Sequence, residues 1–211
     1  MTPHAGRLFW IAAVVISFVA APALAEDGVG FDLSVHGGVD KYGAVDLKSG
    51  LSRSDFTDAQ QMRDASTTLG ATAIVRLGLL EVGALAEAGR PGKDNTSTAV
   101  AALGGLGLGL GRLHLEALGE LGGHRYADAL TNPRVIVDTN RSDWLAYVGV
   151  RPGLSLRLGE RGGIILGLWG YARRDVTKRE IPVTLADLSG TGAYDLGGTQ
   201  VGLALRLGFA L

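Results

Sequence analysis

The chain has 211 residues, 33 of them glycine, with no cysteine, 46% hydrophobic and 19% charged residues, and a formal charge of −1. Twenty basic residues against 21 acidic ones give no field for nucleic acid. The absence of thiols excludes a disulfide framework, a thiolate metal site and a cysteine nucleophile, and the apolar content excludes a disordered tail.

Met1–Arg7 carries one Arg and no acid, and Leu8 to Leu24 is uncharged and interrupted by Pro22. That stretch is short for a helical span of roughly 20 residues. Ala23-Leu24-Ala25 has the small-x-small form of a cleavage site and is followed by Glu26-Asp27. Residues 1–25 therefore read as a removable secretory signal. Residues 26–211 are left as one domain, with 19 basic and 21 acidic residues.

From Val29 onward the chain alternates with a period of two. Val29, Phe31, Leu33, Val35 and Val39 share one parity against Asp32, Ser34 and His36. Leu69, Ala71, Ala73, Val75 and Leu77 oppose Thr68, Gly70, Thr72, Ile74 and Arg76. Leu80, Val82, Ala84, Ala86 and Ala88 oppose Glu81, Gly83, Leu85 and Glu87, and Val100–Leu110 and Leu113–Leu121 continue the rule. Trp144, Ala146, Val148, Val150, Pro152, Leu154, Leu156 and Leu158 oppose Tyr147, Arg151, Ser155 and Arg157. Ile164, Leu166 and Leu168 oppose Trp169, Tyr171 and Arg173, and Val201, Leu203, Leu205, Leu207, Phe209 and Leu211 oppose Gln200, Ala204 and Arg206. Successive side chains of a strand point to opposite faces, so these are eight predicted strands. Alternation also occurs in soluble sandwiches. Here, however, the second face holds Gly, Ala and a few charges of both signs, which suits the cramped interior of an eight-stranded barrel.

The joins alternate in length. Residues of about 43–66, 89–97, 125–142 and 175–192 form long loops, while Gly78-Leu79, Gly111-Arg112 and residues 159–163 form short turns. Transmembrane barrels show this asymmetry, with short turns periplasmic and long loops outside. The two-residue turns set register: Leu77 faces Leu80, Arg76 faces Glu81, Leu110 faces Leu113, and Gly107 faces Glu116. Across the third turn Leu158 faces Ile164, and Gly153 faces Trp169. The glycines of Gly104-Gly105-Leu106-Gly107-Leu108-Gly109 lie within a strand and lack a GKS/T ending, so they read as volume matching and not as a phosphate loop.

With its signal segment, eight alternating strands, turn and loop order, and the closing segment Leu203–Leu211 (LALRLGFAL), the chain resembles the small outer-membrane barrels of the OmpA-transmembrane, OmpX and OmpW kind. The resemblance implies an all-β, eight-stranded antiparallel up-and-down barrel in the bacterial outer membrane. It also implies assembly by the barrel-assembly machinery, contact with outer-membrane lipids and lipopolysaccharide, and no cofactor. Such barrels usually end on an aromatic residue, where this chain has Leu211, with Phe209 two residues earlier. The aromatic girdles are thin, with Phe31, Trp144 and Phe209 as outward candidates.

Parity assigns Phe31, Leu33, Leu154, Leu156, Leu166, Leu203, Leu205, Leu207 and Phe209 to the membrane face. It turns Asp32, His36, Glu81, Glu87, Glu116 and Glu120 inward, with Arg76, Arg151, Arg157, Arg173 and Arg206. The expected role of these charges is a neutralising network that fills the lumen, since buried charge is tolerated when paired; a narrow polar path is the functional alternative. Ile74, Leu85, Leu103, Leu118, Leu145, Ile165 and Trp169 also point inward, at different distances from their turns, and read as packing instead of one apolar ring. His114 and His124 are ten residues apart on one strand, roughly 33 Å if extended, too far to share a metal. His36 has Asp32 and Asp40 as strand neighbours. No His-x-Ser pair of the outer-membrane lipid A deacylase kind is present, so a lipid-modifying enzyme is the weakest reading. The loops carry Arg53, Asp55, Arg63 and Asp64, then Arg134, Asp138 and Arg141, then Arg174, Lys178, Arg179 and Glu180. An envelope protein or a surface polysaccharide could be met there, because rigid scaffolds display function on loops.

Overall fold

The computed structural model describes residues 29–48, 65–90, 96–127, 135–137, 144–159, 163–185 and 191–211. The signal segment 1–25 and most of the long-loop residues, including Arg53, Asp55, Arg63, Asp64, Arg134, Asp138 and Arg141, lie outside them. The described strands are β1 (Val29–Leu47), β2 (Ala65–Leu77), β3 (Leu80–Arg90), β4 (Thr96–Leu110), β5 (Leu113–Ala127), β6 (Val135–Val137), β7 (Trp144–Leu158), β8 (Gly163–Asp175), β9 (Arg179–Leu185) and β10 (Thr191–Ala210). Eight of them pair antiparallel in the order β1-β2-β3-β4-β5-β7-β8-β10, and β10 returns to β1, so the sheet closes on itself. Closure leaves the wall without an edge strand. The wall strands run from 11 to 20 residues, at or beyond the ~9–11 that cross a bilayer.

The seam is regular from Asp32↔Ala210 to Gly43↔Thr199. Phe31 and Leu211 exchange backbone hydrogen bonds at its lower end, 3.0 and 2.8 Å long. The register predicted from the short turns is the one observed: Leu77↔Leu80, Arg76↔Glu81, Leu110↔Leu113, Gly107↔Glu116, Gly153↔Trp169 and Leu158↔Ile164. Gly78 and Gly111 open the two-residue turns with φ of 64° and 66°, a left-handed conformation in which a Cβ would collide with the following carbonyl.

The strand limits differ from the predicted ones at the loop end. β1 continues to Leu47, and β10 begins at Thr191, where loops were expected. β10 pairs with β8 through residues 199–210 but with β9 through 191–196. Gly197, at φ 116°, sits where the partner changes, and the β1 register shifts at the same level, between Gly43 and Val45. β6 adds to β9 through Val135↔Leu185. A flap of four strands therefore rises above the barrel on one side: β1 and β10 stay paired through Leu47↔Tyr194, and β9 and β6 add to the edge of β10 that β8 no longer covers.

Side chains follow parity throughout the wall. Leu154, Leu156, Leu166, Leu203, Leu205, Leu207 and Phe209 are exposed on the outside, Leu205 at 71%, while Phe31 and Leu33 are half-buried there. The aromatic rim is sparse: Trp144 lies at the loop end, with Phe31 and Phe209 at the turn end. An outer surface of this composition has no favourable contact with water, at a cost near 25 cal/mol per Å² of apolar area. It is suited to hydrocarbon.

Candidate functional site

The interior has two charged layers, with apolar side chains packed against them. The lower layer, near the short turns, gathers around Asp32, Glu81 and Glu116. Arg76 donates to Asp32 Oδ1 at 2.5 Å, Arg157 donates to Asp32 Oδ2 at 3.0 Å, and Arg206 approaches the same oxygen at 3.6 Å. Arg206 also donates to Glu116 Oε1 at 2.9 Å and to Ser34 at 2.9 Å, and the Trp169 indole donates to Glu116 Oε1 at 2.5 Å. Glu81 is bonded to His114, Nε2 to Oε1, at 2.7 Å. Arg76 and Glu81 are cross-strand neighbours, as the turn requires, but they do not pair. The Arg76 side chain crosses to β1, where Asp32 lies opposite Ile74 in the register of β1 and β2.

The upper layer centres on Glu87 and Glu120. Arg151 donates to Glu120 at 2.6 Å and to Glu87 at 2.8 Å, and Arg173 donates to Glu120 at 2.5 Å and to the other oxygen of Glu87. His36 is bonded to Glu87 at 2.7 Å, and not to Asp32 or Asp40, its neighbours along β1. Asp32 and Asp40 each lie four residues from His36, about 13 Å along the strand, whereas Glu87 reaches His36 across β2. Gly70 makes this possible, because its missing side chain leaves the space where His36 Nε2 and the Glu87 chain meet. Asp40 accepts from Tyr171 and Gln200, both at 2.7 Å. Arginine faces cover the rings: Arg151 lies over Trp169 and Tyr171, Arg173 over Tyr147 and Tyr171, and Arg206 over Trp169, at 4.4–5.3 Å. Such contacts are favourable when the cation is desolvated.

Ile74, Leu85, Leu103, Leu118 and Trp169 meet Ala99, Ala101 and Tyr147 in one apolar cluster, with Ala99 at the level of Glu87 and Tyr147 on the loop side of Arg173. Five of the seven inward apolar residues read as packing meet in this cluster, and Leu145 and Ile165 stand outside it.

The sequence-predicted charges fall into both layers: Asp32, Arg76, Glu81, Glu116, Arg157 and Arg206 below, Glu120, Arg151 and Arg173 above. Sequence reasoning passed over Tyr171, Gln200 and Ser34 as partners, although parity placed each of them inside. Near the loop end His124 Nδ1 is bonded to Asp175 at 3.0 Å, and Tyr126 donates to the same carboxylate at 3.2 Å. His124 also stacks on Tyr147. His114 and His124 thus occupy opposite ends of the lumen. Two glutamates, however, bring donors to His114: Glu81, His114 and Glu116 offer three ligand atoms within 4.8 Å of one another. Of the loop charges, Arg174, Lys178 and Glu180 are exposed and Arg179 half-buried.

No family model and no curated protein matches the sequence. Among solved structures, the outer membrane protein OprG from Pseudomonas aeruginosa superposes with a TM-score of 0.56 at 12% identity, covering 88% of this chain and 95% of that one. Neisserial surface protein A (NspA) gives a TM-score of 0.49 at 9% identity, covering 85% of this chain and 98% of its own. The OprG likeness extends over nearly the whole of both chains and is one of fold. With its closed antiparallel wall, apolar exterior and polar, filled interior, this chain has the fold of the small eight-stranded outer-membrane barrels.

Proposed function

We propose that the protein is a non-conducting, non-enzymatic barrel of the outer membrane, whose role is structural or is carried by the loops it presents outside the cell. The observation behind this reading is that Arg151, Trp169 and Tyr147, in mid-lumen, each have 0% solvent exposure. A side chain lining an open aqueous passage keeps some exposed area, and these keep none. Their charges and rings fill the cross-section that an eight-stranded wall encloses. The outward loops, the flap of β6, β9 and the upper parts of β1 and β10, and the exposed Arg174, Lys178 and Glu180 are the surfaces available to an envelope protein, a polysaccharide or lipopolysaccharide.

The apolar cluster favours one second reading, a path for small hydrophobic solutes along its side chains. Planar-bilayer recording and liposome swelling separate the two. A silent bilayer and unswollen liposomes support the filled lumen; stepwise conductance or solute entry overturns it. For the absence of enzymatic activity, mass spectra of lipid A from cells making the protein should be unchanged, and a new lipid A species would refute it.

A further inference from the structure

We propose that Glu81, His114 and Glu116 form a binding site for a divalent transition-metal ion, zinc being the best match, inside the turn end of the barrel. The site is independent of whether the lumen conducts. Its donors come from two strands that are not neighbours, Glu81 from β3 and His114 and Glu116 from β5, and they meet across β4. The pairing sets Glu81 opposite Gly105, Glu116 opposite Gly107 and His114 opposite Gly109. Three glycines in alternation therefore strip the inner face of β4 where the three ligands converge. A Cβ on Gly107 would run into the Glu81 carboxylate and stand 2.8 Å from His114 Nε2. The gap is the space the cluster occupies.

Two observations point to a cation. The potential ligand atoms lie within 4.8 Å of one another, all on buried residues. Glu81 is only 1% exposed, with histidine as its ion-pair partner at Oε1, and its Oε2 has no hydrogen-bond partner. A buried carboxylate oxygen left unsatisfied is costly, and every other buried glutamate of the lumen has an arginine on it. A metal ion bridging Glu81 to His114 and Glu116 gives that oxygen the partner it lacks. One imidazole and two carboxylates at about 2.0–2.2 Å, with a remaining position for water, is a zinc ligand set. Calcium and magnesium favour all-oxygen shells of six or more ligands. The second shell is in place: Trp169 and Arg206 both donate to Oε1 of Glu116 and fix its orientation, as outer partners of ligating carboxylates do. The ion would tie β3 to β5 over β4.

The test uses the whole folded protein in detergent micelles, stripped with a chelator and titrated with Zn²⁺ by calorimetry. We expect one Zn²⁺ per chain. Co²⁺ in its place should give visible bands of a four- or five-coordinate ion. Glu81→Gln and His114→Gln should each weaken Zn²⁺ binding at least ten-fold and abolish the Co²⁺ bands. Gly107→Ala should also weaken binding although all three ligands remain, and His124→Gln, at the far end, should leave it unchanged. Circular dichroism establishes that each variant is folded. Should a variant fail to fold, the Co²⁺ spectrum of the unaltered protein decides. Absence of Zn²⁺ uptake, a six-coordinate Co²⁺ spectrum, or uptake that persists in folded Glu81→Gln and His114→Gln overturns the proposal.

Discussion

Glu87 shows what one residue carries in this interior. It is buried, and it receives Arg151, Arg173 and His36 together. A buried pair need not stabilise a protein relative to an apolar isostere, but removing one partner strands the other in low dielectric, at about 3–5 kcal/mol. Glu87→Ala is therefore expected to lower unfolding stability by roughly that amount, read by urea titration of the folded protein in lipid vesicles. The outer face follows a different rule. Leu205 lies near the middle of the apolar belt with 71% of its surface exposed. Arginine at a lipid-facing mid-bilayer position costs about 2–4 kcal/mol, falling to near zero at the interface. Leu205→Arg should thus destabilise the barrel in vesicles by about 2–4 kcal/mol, and a neutral effect would mean that this face does not meet hydrocarbon. The parity of both residues was legible in the sequence; the identity of Glu87's partners was not, because they sit on β1, β7 and β8, far from it along the chain.

At the scale of elements, the short turns impose order. Gly78 and Gly111 open two-residue hairpins in left-handed conformation, where a non-glycine residue costs about 1–2 kcal/mol. Gly111→Ala should lower stability by about that much, measured by the same urea titration, because the β4–β5 register depends on this turn. These positions were readable because glycine at the first turn residue, flanked by alternating strands, is a local signal. The flap was not readable. β9 alternates locally, Ile181, Val183 and Leu185 against Glu180, Pro182 and Thr184, but its partner, residues 191–196 of β10 that project beyond β8, is not a local signal. Lys48 fastens this flap, donating to Glu180 at 2.5 Å and lying 3.0 Å from Asp195. Hydrogen bonds to Glu180 and then Asp195 raise its pKa above the ordinary 10.5. Because the folded value is the higher one, the strap is complete below the ordinary lysine value and is lost only as pH rises past the raised one. Digestion of β9 by an alkaline-active protease should be slow at neutral pH and accelerate only as pH rises past the raised lysine value. Lys48→Gln should make it several-fold faster at neutral pH and remove the pH dependence, and an unchanged rate at neutral pH would dismiss the strap.

The whole molecule combines two demands. Outside, it meets a solvent that cannot hydrogen-bond, so every backbone group of the wall must be satisfied within a closed sheet. Inside, eight strands leave room for side chains and little else, and this chain fills that room with charge, aromatic rings and one apolar cluster. Side chains packed across mid-lumen are the reason to expect a silent bilayer under the function proposed above, which assigns any interaction to the loops.

By itself the sequence determined the local and the periodic: which face of each strand is apolar, where the hairpins turn, which residues lie opposite each other across a short turn, and therefore the barrel. All of these depend on side chains a few positions apart, and the two-residue period carries them without reference to the rest of the fold. The tertiary structure alone decided which charges meet. His36 with Glu87, Arg76 with Asp32, and Glu81 with His114 and Glu116 are each joined across an intervening strand or a far stretch of chain. Their meeting depends on strand tilt, and on glycines at 70 and 107 that open space for other residues' side chains, neither of which has a signature along one strand.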